Sequence, residues 1–129
     1  MPFVEIFVPE RRAAVERRKL ADAVHAALVE AIGIPSDDRF QVIRALGADD
    51  WIFDPSYLGL DRTPNALVVR VTLRRGRSAA KKRALYRALA DNAARAAGIR
   101  VEDVFVVLHE NDAADWSFGG GLAQYALTD

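Results

Sequence analysis

Proline stands second in this chain, after Met1, at the head of the stretch PFVEIFV. Removal of Met1 would leave Pro2 with a free secondary amine, which is a base when neutral and an acid when protonated. An ordinary α-amino group titrates at about 7.7–8.0, and a proline amine is somewhat more basic. Arginines and burial would lower that value, and a neighbouring carboxylate would raise it. A neutral amine can move a proton between carbon and oxygen in keto–enol isomerisation. A protonated one can polarise a carbonyl, and a secondary amine can also form an iminium ion. Those last two modes create the electron sink that loss of CO2 from a 3-oxo acid requires. The plainer reading is a strand start, where proline's missing N–H costs nothing.

Other residue types capable of joining such chemistry fall in three stretches. GIPSDDRFQ carries Asp37 and Asp38, RRGRS carries Arg74, Arg75 and Arg77, and DWSFGGGLAQY carries Trp116 and Phe118. Arginine can grip a carboxylate in bidentate fashion. Aromatic walls can exclude water and weaken the solvation of that carboxylate as CO2 forms. His25 and His109 have no paired ligand spacing and read as structural.

A repeat positions these residues. At an offset of 65 positions, EAIGIPSDDRFQVI falls on RAAGIRVEDVFVVL, and FVEIFV falls on VVRVTL. Asp38 then matches Asp103, which leaves a turn role for both carboxylates standing beside a catalytic role for Asp38. Each copy reads strand, helix, strand. The first has a strand over 2–8, a helix over 10–32 with Val15, Leu20, Val24 and Leu28 among its apolar positions, and a strand over 39–46. The second has 66–75, 79–97 and 104–109, with Ser78 as N-cap and Gly98 as stop, as Gly33 stops the first helix. The halves are thus about 2–46 and 66–109, joined by a turn-rich linker, 47–65, and followed by a C-terminal segment, 110–129, both lying outside the repeat. This predicts one α+β domain over 1–129: a four-stranded mixed sheet with two helices on one face.

A right-handed crossover makes the strands within each copy parallel. If a pseudo-two-fold axis relates the copies, the first and third strands are antiparallel neighbours about 4.8 Å apart. The start of the first then lies beside the end of the third, so Pro2, Asp38 and RRGRS share one rim. Arg75 continues the apolar face of Val69, Val71 and Leu73, which favours it for lining a pocket. Arg77 sits just before the second helix, whose first N–H groups also favour anions. Arg74 continues the mixed face and reads as solvated. At the opposite rim Leu67 replaces Pro2, with Asp103 and Arg12 nearby.

Eighteen basic and eighteen acidic residues give zero formal charge, which disfavours nucleic acid. With no cysteine, thiolate metal sites and cysteine nucleophiles are excluded. No apolar run could span a bilayer and no secretory signal pattern is present, so a cytoplasmic protein is expected.

In MP at the start, GIPSDDRFQ, RRGRS and DWSFGGGLAQY, the chain resembles the tautomerase superfamily, and within it the malonate semialdehyde decarboxylase branch. The resemblance implies Pro2 as the catalytic amine and Asp38 as the carboxylate that orients it or activates water. It implies Arg75 and Arg77 as the grip on the substrate carboxylate, and Trp116 and Phe118 as pocket lining. It also implies a homotrimer without a cofactor. The expected reaction is decarboxylation of malonate semialdehyde (3-oxopropanoate). The alternatives are keto–enol tautomerisation of a 2-oxo acid such as phenylpyruvate, and a trimeric binding or signalling protein.

Overall fold

The structure is a computed structural model that describes residues 1–126 of the chain. Strand β1 (Pro2–Pro9) leads to helix α1 (Ala14–Ile32) and strand β2 (Gln41–Leu46). After the linker, strand β3 (Leu67–Arg74) leads to helix α2 (Ala79–Ala97) and strand β4 (Val104–Asn111). The sheet order is β2-β1-β3-β4, parallel within each copy and antiparallel between β1 and β3. Glu5 stands opposite Arg70, its own repeat partner, so the pseudo-two-fold passes between them. The two side chains also form an ion pair, with two Arg70 nitrogens within 3.0 Å of Glu5 Oε1.

Alternation decides which sheet face is covered. Val4, Ile6 and Val8 on β1, and Leu67, Val69, Val71 and Leu73 on β3, are buried together with Leu20, Val24 and Leu28 of α1 and Leu85 and Leu89 of α2. Burying each such side chain stabilises the fold by about 1.5–3 kcal/mol. The opposite face carries Phe3, Phe7, Phe105 and Val107 around the Glu5–Arg70 pair; no helix covers it, and aromatic residues of the linker and the C-terminal segment pack only at its two rims.

Helix α2 occupies the expected residues. Ser78 Oγ accepts the Lys81 N–H at 3.2 Å, and Gly98 closes the helix at φ 65°. Helix α1 starts four residues later than expected. Pro9 ends β1, the Arg12 N–H closes a turn on Pro9 O, and Ala13 offers no side-chain cap. Val15, expected in the core, is 63% exposed, because the buried stripe of α1 begins only at Leu20.

The repeat also runs further than the strand–helix–strand units. Trp51 and Phe53 of the linker match Trp116 and Phe118 of the C-terminal segment at the same offset, and Phe40 matches Phe105. Each set forms an aromatic cluster at its own rim, Trp51 with Phe53 and Phe105, Phe118 with Trp116 and Phe40. No helix among the described residues is long and apolar enough to cross a membrane.

Candidate active site

Pairing of Pro2 with Leu73 brings the start of β1 beside the end of β3. The Arg75 N–H donates to Asn111 O at 2.8 Å, so β3 stays tied to β4 one step past its last paired residue. Arg75 and Arg77 therefore leave the sheet at the rim where β1 begins. Asp38 reaches the same rim from a turn closed by its own N–H on Pro35 O, and Phe40 O accepts the Val4 N–H at 3.0 Å.

The amino group of Met1 donates to Asp38 Oδ2. Met1 is only 6% exposed, and the Asp38 side chain only 10%. The carboxylate thus already holds a chain-end ammonium group against the sheet. The nitrogen of Pro2 lies one residue further on, within about 3.6 Å along the chain. While Met1 is attached that nitrogen belongs to a peptide bond; with Met1 removed it would be the chain's amino terminus.

Arg75 and Arg77 line one basic recess with Ile32, Arg74, Gly76 and Lys81, about 260 Å³ in volume. Gly76, at φ 126°, turns the chain between the two arginines. Arg77 Nη1 donates to Arg74 O at 2.9 Å, and Arg75 Nε donates to Asp112 Oδ1 at 2.7 Å. The Asp112 carboxylate raises the Arg75 pKa further, so the guanidinium is a permanent cation. Beside it, Lys82 of α2 bonds Glu110 of β4 at 2.9 Å and holds that carboxyl below its ordinary value. The recess is suited to a small carboxylate.

Trp116 and Phe118 line a different recess, with Phe3, Arg39, Phe40 and Gln41. Trp116 stacks on Phe118 with ring centroids 5.5 Å apart and planes 8° from parallel. Phe118 meets Phe40 at 5.5 Å and the edge of Tyr125 at 5.2 Å. Gln124 closes the glycine-rich loop behind them, accepting the Phe118 N–H and donating to Gly119 O. The Trp116 indole donates to Asn111 Oδ1 at 2.7 Å.

Thus Asp38 meets the chain's amino terminus, Arg75 and Arg77 share one recess, and Trp116 and Phe118 share another; Pro2 lines neither recess. Three residues at this rim escape the sequence reading. The repeat could have found Phe40, through Phe105. Asn111 and Asp112 carry no sequence signal, because their roles arise only from the register of β4 against β3.

The opposite rim is a control. Asp103 is 1% exposed and accepts from Thr63 N at 2.7 Å and Thr63 Oγ1 at 2.6 Å. The carboxylate that holds a chain end in one half clamps the entry to β3 in the other. His25 Nε2 lies 2.7 Å from Ser36 O, a tie between α1 and the Asp38 turn.

Known proteins are similar to this chain over nearly its whole length. A family model described as tautomerase enzyme matches residues 38–119, and another with that description matches residues 2–60. Probable tautomerase YusQ of Bacillus subtilis (strain 168) is 41% identical over 124 residues, which is 96% of this chain and 98% of that protein. This chain belongs to the tautomerase family. Probable tautomerase YrdN of the same organism is 38% identical over 97% of this chain and 96% of its own length. Among solved structures, FG41 malonate semialdehyde decarboxylase inhibited by 3-bromopropiolate superposes with a TM-score of 0.91 at 38% identity, covering 95% of this chain and 93% of its own. A fused 4-OT, described as a symmetric trimer, superposes with a TM-score of 0.80 at 25% identity, covering 96% of this chain and 98% of its own. The chain is a tautomerase-superfamily enzyme of the isomerase or lyase kind.

Proposed function

We propose that this enzyme decarboxylates malonate semialdehyde as a cytoplasmic homotrimer, with the nitrogen of Pro2, exposed by removal of Met1, as its catalytic amine. The observation that carries the reading is the capture of the chain's amino terminus by Asp38, at the rim where β3 delivers Arg75 and Arg77. The likeness to FG41 malonate semialdehyde decarboxylase favours this substrate over others.

Arg75 and Arg77 grip the carboxylate of 3-oxopropanoate, and the protonated amine or an iminium derived from it draws electrons from C3. The C1–C2 bond breaks, its electron pair passes into the resulting enol or enamine, and CO2 leaves. A proton added at C2, with hydrolysis where an iminium formed, yields acetaldehyde. Asp38 orients the amine or activates water. Trp116 and Phe118, linked to Arg75 through Asn111 and Asp112, exclude water from the rim. A trimer agrees with the fused 4-OT relative and with the apolar residues on the sheet face that the helices leave open.

A second reading, ketonisation of an enol such as phenylenolpyruvate by neutral Pro2, is favoured by the two relatives named as probable tautomerases. One experiment separates them. Protein whose intact mass lacks methionine is incubated with 3-oxopropanoate and, separately, with phenylenolpyruvate, beside Pro2→Ala. CO2 release that Pro2→Ala abolishes is the expected result. Ketonisation without CO2 transfers the reading to the second substrate, and CO2 release unchanged in Pro2→Ala, whose own terminal amine is primary, refutes the proline nitrogen as the required amine.

A further inference from the structure

The two rims share a backbone frame but differ in side chains. At the Pro2 rim the Arg75 N–H donates to Asn111 O and the Asp115 N–H to Asp112 O. At the other rim the repeat partners make the same bonds, Glu10 N–H to Leu46 O and Asp50 N–H to Gly47 O. Trp116 and Trp51 follow these turns at the same offset. Architecture alone therefore accounts for the turn and for its tryptophan. It does not account for what appears at one rim only.

What appears only at the Pro2 rim is a side-chain bridge. Asp112 Oδ1 accepts from Arg75 Nε, and Asn111 Oδ1 accepts from the Trp116 indole. At the other rim Leu46 and Gly47 replace this pair, Glu10 replaces Arg75, and the Trp51 indole turns to Ala66 O instead. Arg75 Nη1 and Nη2 have no protein partner among the described residues.

We propose that Asp112 is a positioning residue: by occupying Nε of Arg75 it makes the guanidinium present its Nη1–Nη2 end to a substrate carboxylate. A free arginine can take a carboxylate side-on through Nε and Nη2 or end-on through both Nη atoms. With Nε filled, only the end-on mode remains, and the side chain is held in one orientation before substrate arrives. Asp112 also caps the turn that leads to Trp116, its N–H bonding Asp115 Oδ2 at 2.8 Å. The carboxylate grip and the aromatic wall are thereby set from one pair of residues at the end of β4. Asp112 withdraws some positive charge from the recess in doing so, so binding gains only where orientation outweighs that loss.

This deepens the proposed carboxylate grip and rests on it, so its test reads binding rather than turnover. The probe is 3-hydroxypropanoate, which carries the carboxylate but has no carbonyl through which to lose CO2. Calorimetric titration compares wild type, Asp112→Ala, Asp112→Asn and Arg75→Gln, and each Asp112 variant in the Arg75→Gln background. Asp112→Ala is expected to weaken binding about 5- to 10-fold, as loss of one charge-assisted orienting bond would. Asp112→Asn keeps an acceptor oxygen and should stay within about 2-fold of wild type. In the Arg75→Gln background both Asp112 changes should have no effect, since the residue acts through Arg75. An equal loss with and without Arg75 would show a turn-capping role and overturn the proposal. So would tighter binding by Asp112→Ala, which would mean that the carboxylate only attenuates the guanidinium, or a wild type that does not bind the probe. Wild type that binds the probe yet releases no CO2 from 3-oxopropanoate would refute the decarboxylase reading alone and leave these binding comparisons decisive for Asp112.

Discussion

Asp38 and Asp103 occupy one place in the two halves of the repeat, and the structure gives them different work. Replacing each with alanine separates the two roles. Asp103 is 1% exposed and makes two short hydrogen bonds to Thr63, one to the backbone N–H and one to the hydroxyl. Hydrogen bonds to a charged group contribute about 1.5–3 kcal/mol each. Alanine also removes the cost of burying a carboxylate, which offsets part of that. The net loss for Asp103→Ala is then about 2–4 kcal/mol. At this chain length that should lower Tm by roughly 10 °C. Asp38 instead holds only one terminal ammonium group, with its side chain 10% exposed, so Asp38→Ala should cost less stability than Asp103→Ala. Its effect should fall on turnover, with kcat down about 100-fold, as for loss of a group that assists proton transfer. The assays are thermal unfolding at fixed protein concentration, since association would shift Tm by mass action, and CO2 release from 3-oxopropanoate. Asp103→Asn keeps an acceptor for the Thr63 N–H and should recover about half the lost stability. If Asp38→Ala proves the less stable variant, or Asp103→Ala unfolds at the wild-type temperature, the division of labour is wrong.

Two further outcomes follow from the same geometry. Gly98 closes α2 at φ 65°, and a methyl group added there would meet nothing within 4 Å, so Gly98→Ala costs backbone strain without a clash, about 1 kcal/mol; Tm should fall by about 3–5 °C, and an unchanged Tm would mean that the cap is not held in the left-handed region. Asp22 and Glu110 have carboxyls held below their ordinary values, first by hydrogen bonds from Arg39 and Lys82 respectively. A carboxyl depressed in the folded state contributes stability in full above its unfolded pKa, and loses it as pH falls through the folded one. Tm should therefore be level from pH 7 to about 5 and decline below about pH 4, with Glu110→Gln showing a shallower decline.

How much of this is legible in the sequence depends on whether a residue's role is local. Helix α2 is readable to the residue, because Ser78 and Gly98 punctuate both ends with side-chain or backbone chemistry of their own. The start of α1 is not, because Ala13 has no capping group and the turn after Pro9 is built from backbone bonds alone. The meeting of β1's start with β3's end follows from the repeat plus one assumption about symmetry, and the Glu5–Arg70 pairing supplies that symmetry. Trp51 and Phe53 fall outside the repeat on a sequence reading because turn-rich residues surround them and hide the match to Trp116 and Phe118. Asn111 and Asp112 are illegible in principle: nothing in the composition of a strand end says which neighbour it will face.

Duplication explains why the two rims share a scaffold, but a chain has only one amino terminus. Only one of two equivalent rims can therefore carry a terminal amine. At the other, the corresponding nitrogen lies inside the chain at Leu67, and the carboxylate left without an amine is taken up by Thr63. Once one rim is committed in this way, the other keeps only one of the two arginines, Arg12 at the place of Arg77, and that one pairs with Glu16. The side chains there follow: Glu10 stands in place of Arg75, and a Cβ at Gly47 would sit 3.0 Å from Asp50 Oδ2 and 3.9 Å from Glu10 Oε1. An aspartate there, the counterpart of Asp112, would set a third carboxylate against two others. The acidic bridge is compatible with its rim only where an arginine faces it. Arg75 and Asp112 thus make physical sense as a pair.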